Sequence, residues 1–201
     1  MNTISNILYW ISTGLLVPVI VLLIFFFLRS LILIGTFFGQ YIQNQKTSAI
    51  IYPQITKLTS DKLPQFKGML PDKPTSIVMA FVQKIIENKG HEAKINLILS
   101  EYEIAAEKEI STSKVLTKMG PILGLMGTLI PMGPALVGLA SGDIASMAYN
   151  MQVAFATTVV GLVISAIGFI TLQLKERWTV KNLTMLEYLA NIVISTDSTD
   201  A

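Results

Sequence analysis

The sequence predicts an all-α integral membrane protein with three transmembrane helices. Of 201 residues, 52% are hydrophobic and 14% charged, a charged fraction below that of soluble domains. Three apolar segments are long enough to cross a hydrocarbon core that needs about 20 helical residues. The first lies within Ile7 to Phe38, the second runs from Met119 to Ala140, and the third from about Met147 to Leu174. Charge placement supplies the orientation. Eleven lysines lie between Gln40 and Lys118, and Lys175, Arg177 and Lys181 follow the third segment; with Arg29 these are all fifteen basic residues. The link between the second and third segments carries only Asp143. By the positive-inside rule the amino end and the Asp143 turn face outward, and the middle segment and carboxyl tail are cytoplasmic.

The first segment reads as a span rather than a cleavable leader, since no positive region precedes it and no small-residue cleavage site follows Leu28. Its aromatic residues Tyr9, Trp10 and Tyr41 bracket roughly 31 residues, a helix of about 46 Å, too long for one core. The crossing is expected over residues 8–30, with Arg29 near the inner surface and Leu31 to Phe38 as an extension in the interface or against neighbouring helices. The competing placement over residues 15–38 buries Arg29 and requires it to snorkel or to find a partner.

The cytoplasmic part breaks at DKLPQFKGMLPDKPTS, Asp61 to Ser76, whose prolines and glycine stop regular structure. After it, Ile77, Val78, Phe81, Val82, Ile85 and Ile86 recur at helical spacing and predict one buried face over residues 77–89. Gly90 breaks or caps that helix. A second helix starts near His91, with Ile95, Ile98, Leu99, Tyr102, Ala106 and Ile110 on one side, and no stop separates it from the second span. Its EYEIAAEKE face mixes signs as a solvated face does. Beyond the third span, Leu183, Leu186, Tyr188, Leu189, Ile192 and Val193 give residues 180–194 an apolar side. These elements define segments 1–39, 40–118, 119–178 and 179–201.

Several chemistries find no residues here. Cysteine is absent, which excludes disulfides and thiolate metal sites. The single histidine, His91, lacks the second histidine of a zinc-protease motif. No phosphate loop or catalytic constellation occurs, so the chain is not expected to be an enzyme, to hold a metal or cofactor, or to bind nucleic acid.

The second span is crowded with residues that weaken helices: five glycines and three prolines lie between Gly120 and Gly138. Their spacing is regular. Gly120, Gly124, Gly127, Pro131, Ala135 and Gly138 make one narrow stripe, and Ala154, Thr158, Gly161, Ser165 and Gly168 make another on the third span. Lipid provides no hydrophobic drive for helix association, so small residues matter because they let backbones approach. Ordinary packing explains the stripes taken alone. Thr128 and Thr158 add hydroxyls on those faces, which serve either a polar lining or a bond to their own helix carbonyls. No Asp, Glu, Lys or His lies well inside the second or third span. A proton path usually depends on a titratable group, so a proton-moving role would need an acid from another polypeptide. The polar residues available are Thr128, Thr157, Thr158, Ser165, Asn150 and Gln152.

The run GPILGLMGTLIPM, followed by a short turn and AFATTVVGLVISAI, resembles the core of the MotA/TolQ/ExbB proton-channel family, closest to its ExbB/TolQ branch. The resemblance covers residues 115–178 well, and the order of the remaining segments agrees with it. It implies a ring, typically of five copies, around a dimer of a single-span partner of the ExbD/TolR/MotB type. The partner's membrane aspartate carries the proton, and the proton motive force drives movement that works on an envelope component at the inner membrane. By motif position Thr128 and Thr158 face that aspartate, with Thr157 and Gln152 as further candidates on the path. Gly120, Gly124, Gly127, Gly161 and Ser165 are the candidate packing residues. One departure stands out: where the ExbB/TolQ branch has a glutamate five residues before the third-span threonine, this chain has Val153, with Gln152 adjacent. The cytoplasmic segment also lacks an obvious match to the charged torque surface of flagellar stators. A different class of reading is a membrane scaffold or interaction module that moves no ion.

Overall fold

A computed structural model of the chain describes residues 2–56, 66, 68 and 76–197. All regular structure there is helical, and four helices have defined bounds: α1 (Asn2–Thr56), α2 (Ile77–Glu87), α3 (Glu92–Ala140) and α4 (Ile144–Asp197). Three of them, α1, α3 and α4, are long and apolar enough to cross a membrane. Of the stretch 61–76, where a break in regular structure is expected, only Phe66, Gly68 and Ser76 are described, and Phe66 and Gly68 are helical, against that expectation.

Local chemistry accounts for the boundaries. Ser76 caps α2, its hydroxyl accepting from the Met79 N–H at 3.3 Å. After α2 the chain turns through Gly90 at φ 85°, in the left-handed region where only glycine is at ease. As the missing stop signal suggests, α3 then runs unbroken from the polar segment into the apolar one. It ends in a Schellman turn: the Asp143 N–H bonds the Gly138 carbonyl at 2.8 Å, the Gly142 N–H bonds that of Leu139 at 3.2 Å, and Gly142 has φ 75°. The Asp143 carboxylate then accepts from the Ser146 N–H at 3.0 Å and opens α4.

The chain forms two compact units, to each of which α1, α3 and α4 contribute part of their length. The first comprises residues 1–35 and 112–172. Its core joins Val19, Leu23 and Leu33 of α1 to Leu116, Leu123 and Ile130 of α3 and Ile164 of α4. Arg29 is exposed and reaches Thr112 Oγ1 at 3.5 Å. Trp10 is exposed; the side chain of Tyr9 lies outside the described residues.

The second unit comprises residues 36–111 and 173–201. Its core gathers Ile51 and Ile55 of α1, Val82 and Ile85 of α2, Ile95, Ile98 and Tyr102 of α3, and Leu186, Leu189 and Val193 of α4. Periodicity misassigned two residues: Ile77, in the first turn of α2, and Tyr188 are exposed. The buried face of α4 here follows Met185, Leu186, Leu189, Ala190 and Val193, and Tyr188 projects from a different side. The extension of α1 packs against helix: Phe37 stacks on Trp178 with centroids 5.4 Å apart and planes 9° from parallel, and Tyr41 joins them.

Candidate functional site

Within the first unit, α3 and α4 run antiparallel and touch through their two small-residue stripes. A Cβ added to Gly120 would lie 2.6 Å from the Gly161 carbonyl oxygen, and one on Gly161 would lie 2.8 Å from the Gly124 Cα. Gly127 faces the Thr157 side chain, and Gly168 faces the Thr117 backbone nitrogen, each at 2.6 Å from the added carbon. Backbones this close leave no room for any side chain.

One of the three prolines in this helix has a matching donor. Pro121 has no N–H, so the Thr117 carbonyl one turn earlier loses its helical partner. Ser165 supplies the replacement, donating to the Thr117 oxygen at 3.0 Å. One turn further along, Thr171 donates to Ser113 Oγ at 3.2 Å, and Ser113 is fully buried. The sequence marks Ser165 as a small packing residue and as a polar one, but not as a donor to Thr117, and it does not single out Ser113, Thr117 or Thr171. Extending each stripe by one or two turns would have found them.

The candidate path residues divide into three positions. Thr157 is buried between the helices and bonds the Val153 and Ala154 carbonyls of its own turn. Thr128 and Thr158 are half-buried at the edge of the seam. The first bonds the Leu125 carbonyl at 2.7 Å and the second the Ala154 carbonyl at 3.1 Å. Gly124 links them, since its added Cβ would lie 3.5 Å from the Thr158 Cα, and its carbonyl lies 3.4 Å from Thr128 Oγ1. Gln152 is exposed in a shallow apolar groove on α4 with Ala148, Met151 and Phe155. Six residues on a helix place it roughly 120° round from Thr158. Asn150 bonds the Ser146 carbonyl at 2.9 Å.

The flank is defined by where α1 is not. α1 shares a core with Leu123 and Ile130 on α3 and with Ile164 on α4. At about 100° per residue, Thr128 lies roughly 140–160° round α3 from the first two, and Thr158 about 120° round α4 from the third. Both threonines therefore edge the flank that α1 leaves uncovered, among exposed Leu125, Leu129, Phe155 and Leu162. A polar edge within an open apolar face suits a group that needs hydrogen bonds in a dry setting. Among the described residues no three metal-ligating side chains cluster.

Outside the apolar segments, the second unit holds a cleft of about 240 Å³ with polar residues in its wall, among them Tyr102, Glu109, Lys175 and Asn182. Burial lowers the Lys175 pKa from 10.5, an effect that attraction to Glu109 partly opposes. Burial pushes the Tyr102 phenol up to about 12 against a lowering hydrogen bond from Asn182, and repulsion from Glu109 adds to the rise.

Fold and seam together define a polytopic helical membrane protein built on a glycine-packed antiparallel pair. The family model of the MotA/TolQ/ExbB proton channel family matches residues 73–187, more than half of the chain, and the chain belongs to that family. The family is one of membrane proton channels rather than of enzymes. No curated protein is significantly similar to the sequence.

Proposed function

We propose that the chain is a ring subunit of a motor driven by the proton motive force, working with a single-span ExbD/TolR-like partner that carries a membrane aspartate. The observation that carries this reading is the Thr128 and Thr158 edge on the flank away from α1. A charged aspartate at mid-membrane depth costs about 2.5–3.5 kcal/mol on insertion scales, and two hydroxyls facing it offset part of that cost. Each threonine keeps a lone pair while donating to its own helix. It accepts from the protonated acid, and it donates to the ionised one when it releases its helix carbonyl. The channel subunits close into a homo-oligomeric ring, typically five copies, with this flank inward and α1 toward lipid. The amino terminus lies outside the inner membrane, and the carboxyl helix lies in the cytoplasm. Envelope transport is the favoured load, because the cytoplasmic segment has no obvious counterpart to a flagellar torque surface.

Proton flux through vesicles reconstituted with chain and partner tests the proposal. Thr158→Val is expected to block flux with the ring still assembled. Normal flux in that variant would sink the lining role, and a complex with no partner and no conductance would favour the scaffold reading.

A further inference from the structure

We infer that the polar cleft of the second unit binds a phosphate-sized oxyanion against Lys175. Lys175 as a whole residue is only 7% exposed. Its one hydrogen bond runs to the Glu109 carbonyl at a long 3.4 Å. An ammonium carries three donors, and among the described residues no carboxylate lies within 4.0 Å of this one. Glu109 attracts this cation without reaching it, and a buried cation with no direct ion pair is costly unless an anion closes on it.

The cleft provides the space and the remaining donors. Gln40, Gln43 and Asn44 enter from α1, and Thr179 and Asn182 from α4 beside Lys175. Side chains with donors line the cleft from two helices, and a tetrahedral ion, whose oxygens point several ways, can accept from both sides more readily than a planar carboxylate. Glu109 is the other charged group facing the cleft, and its side chain is exposed. Its carboxylate weakens the site without filling it. A phosphate group comes either as the free ion or as the end of a phosphate monoester. The inference is independent of the proton-path reading, because none of these residues lies in the first unit.

Thermal unfolding of the purified full chain in detergent tests it, with potassium phosphate or glycerol 3-phosphate compared with potassium chloride at equal ionic strength. Phosphate strengthens burial in any protein, so the decisive quantity is the saturable part of the shift. That part is expected to raise Tm by several degrees in the native chain, to persist in Lys175→Arg and to vanish in Lys175→Met. In Glu109→Gln the half-saturating concentration is expected to fall several-fold, as repulsion is removed. Tighter saturation by the ester assigns a phosphate monoester, and tighter saturation by phosphate assigns the free ion. Equal shifts in the native chain and Lys175→Met, or weaker saturation in Glu109→Gln, would overturn the inference. Should Lys175→Met fail to fold, the exposed Glu109→Gln decides alone.

Discussion

At the scale of single residues, a hydroxyl that bonds its own helix contributes little to stability that valine would not replace. Thr158→Val should therefore change unfolding free energy by no more than about 1 kcal/mol while removing flux. A denaturation series beside the flux assay separates the two. Lys175 and Tyr102 set the pH response of the second unit. Lys175 has its pKa lowered from 10.5 by burial, so between the lowered value and 10.5 the folded state binds fewer protons than the unfolded chain. Its penalty is complete below the lowered pKa and disappears as pH rises toward 10.5. Tyr102 acts oppositely: between its ordinary 10.0 and about 12 the folded state holds the extra proton, so stability falls with rising pH there. In chloride buffer, Tm should rise with pH up to about pH 10 in the native chain relative to Lys175→Met. A Tyr102→Phe difference spectrum should remove a phenolate transition near pH 12.

At the scale of the helix, the seam between α3 and α4 depends on having no side chains where backbones meet. Gly161→Ala would set its methyl against the Gly120 oxygen and Gly124 Cα. Overpacking of this kind typically costs about 1–3 kcal/mol. Gly39 is also helical but has nothing within 4 Å of an added Cβ. Gly39→Ala should stabilise by about 0.5–1 kcal/mol through helix propensity alone. Opposite signs from the same substitution, read as Tm in detergent, would separate close approach from generic glycine cost. Ser165→Ala leaves the Thr117 carbonyl beside Pro121 without a donor and should cost about 1–3 kcal/mol. Ser165→Thr keeps the hydroxyl but adds a methyl next to Gly120, so it should not restore full stability.

At the scale of the molecule, three long helices each serve two units of different chemistry. In the first, the apolar surface left outside the core is extensive, and part of it is the threonine flank. In the second, an apolar core is enclosed by charged faces, with the Lys84–Glu101 pair at 3.3 Å on the outside. Exposed pairs of this kind contribute at most about 1 kcal/mol, so the aliphatic core holds this unit together. If the flank faces a partner in a ring, pull-down of the tagged chain should bring a short single-span protein with a membrane aspartate. Replacing that aspartate by asparagine should abolish flux in vesicles. Recovery of the chain as a monomer with no such companion would count against the ring.

Helix content, the three spans, the small-residue stripes and the family resemblance were legible in the chain because each depends on short-range spacing: 3.6 residues per turn, about 20 apolar residues per crossing, and a glycine or threonine at fixed offsets. Residues 77–86 and 95–110 disclosed most of their buried faces for the same reason, with Ile77 as the exception at a helix end. Which stripe faced which partner was not legible. Folding set the two stripes against each other, buried Thr157, left Thr128 and Thr158 at an edge, and matched Ser165 to the carbonyl that Pro121 frees. It also gathered Gln40, Glu109 and Lys175, far apart in the chain, around one cleft. Periodicity gives the angle of a residue on its own helix, but contact depends on the rotation and register of two helices, and those are decided only when their surfaces pack.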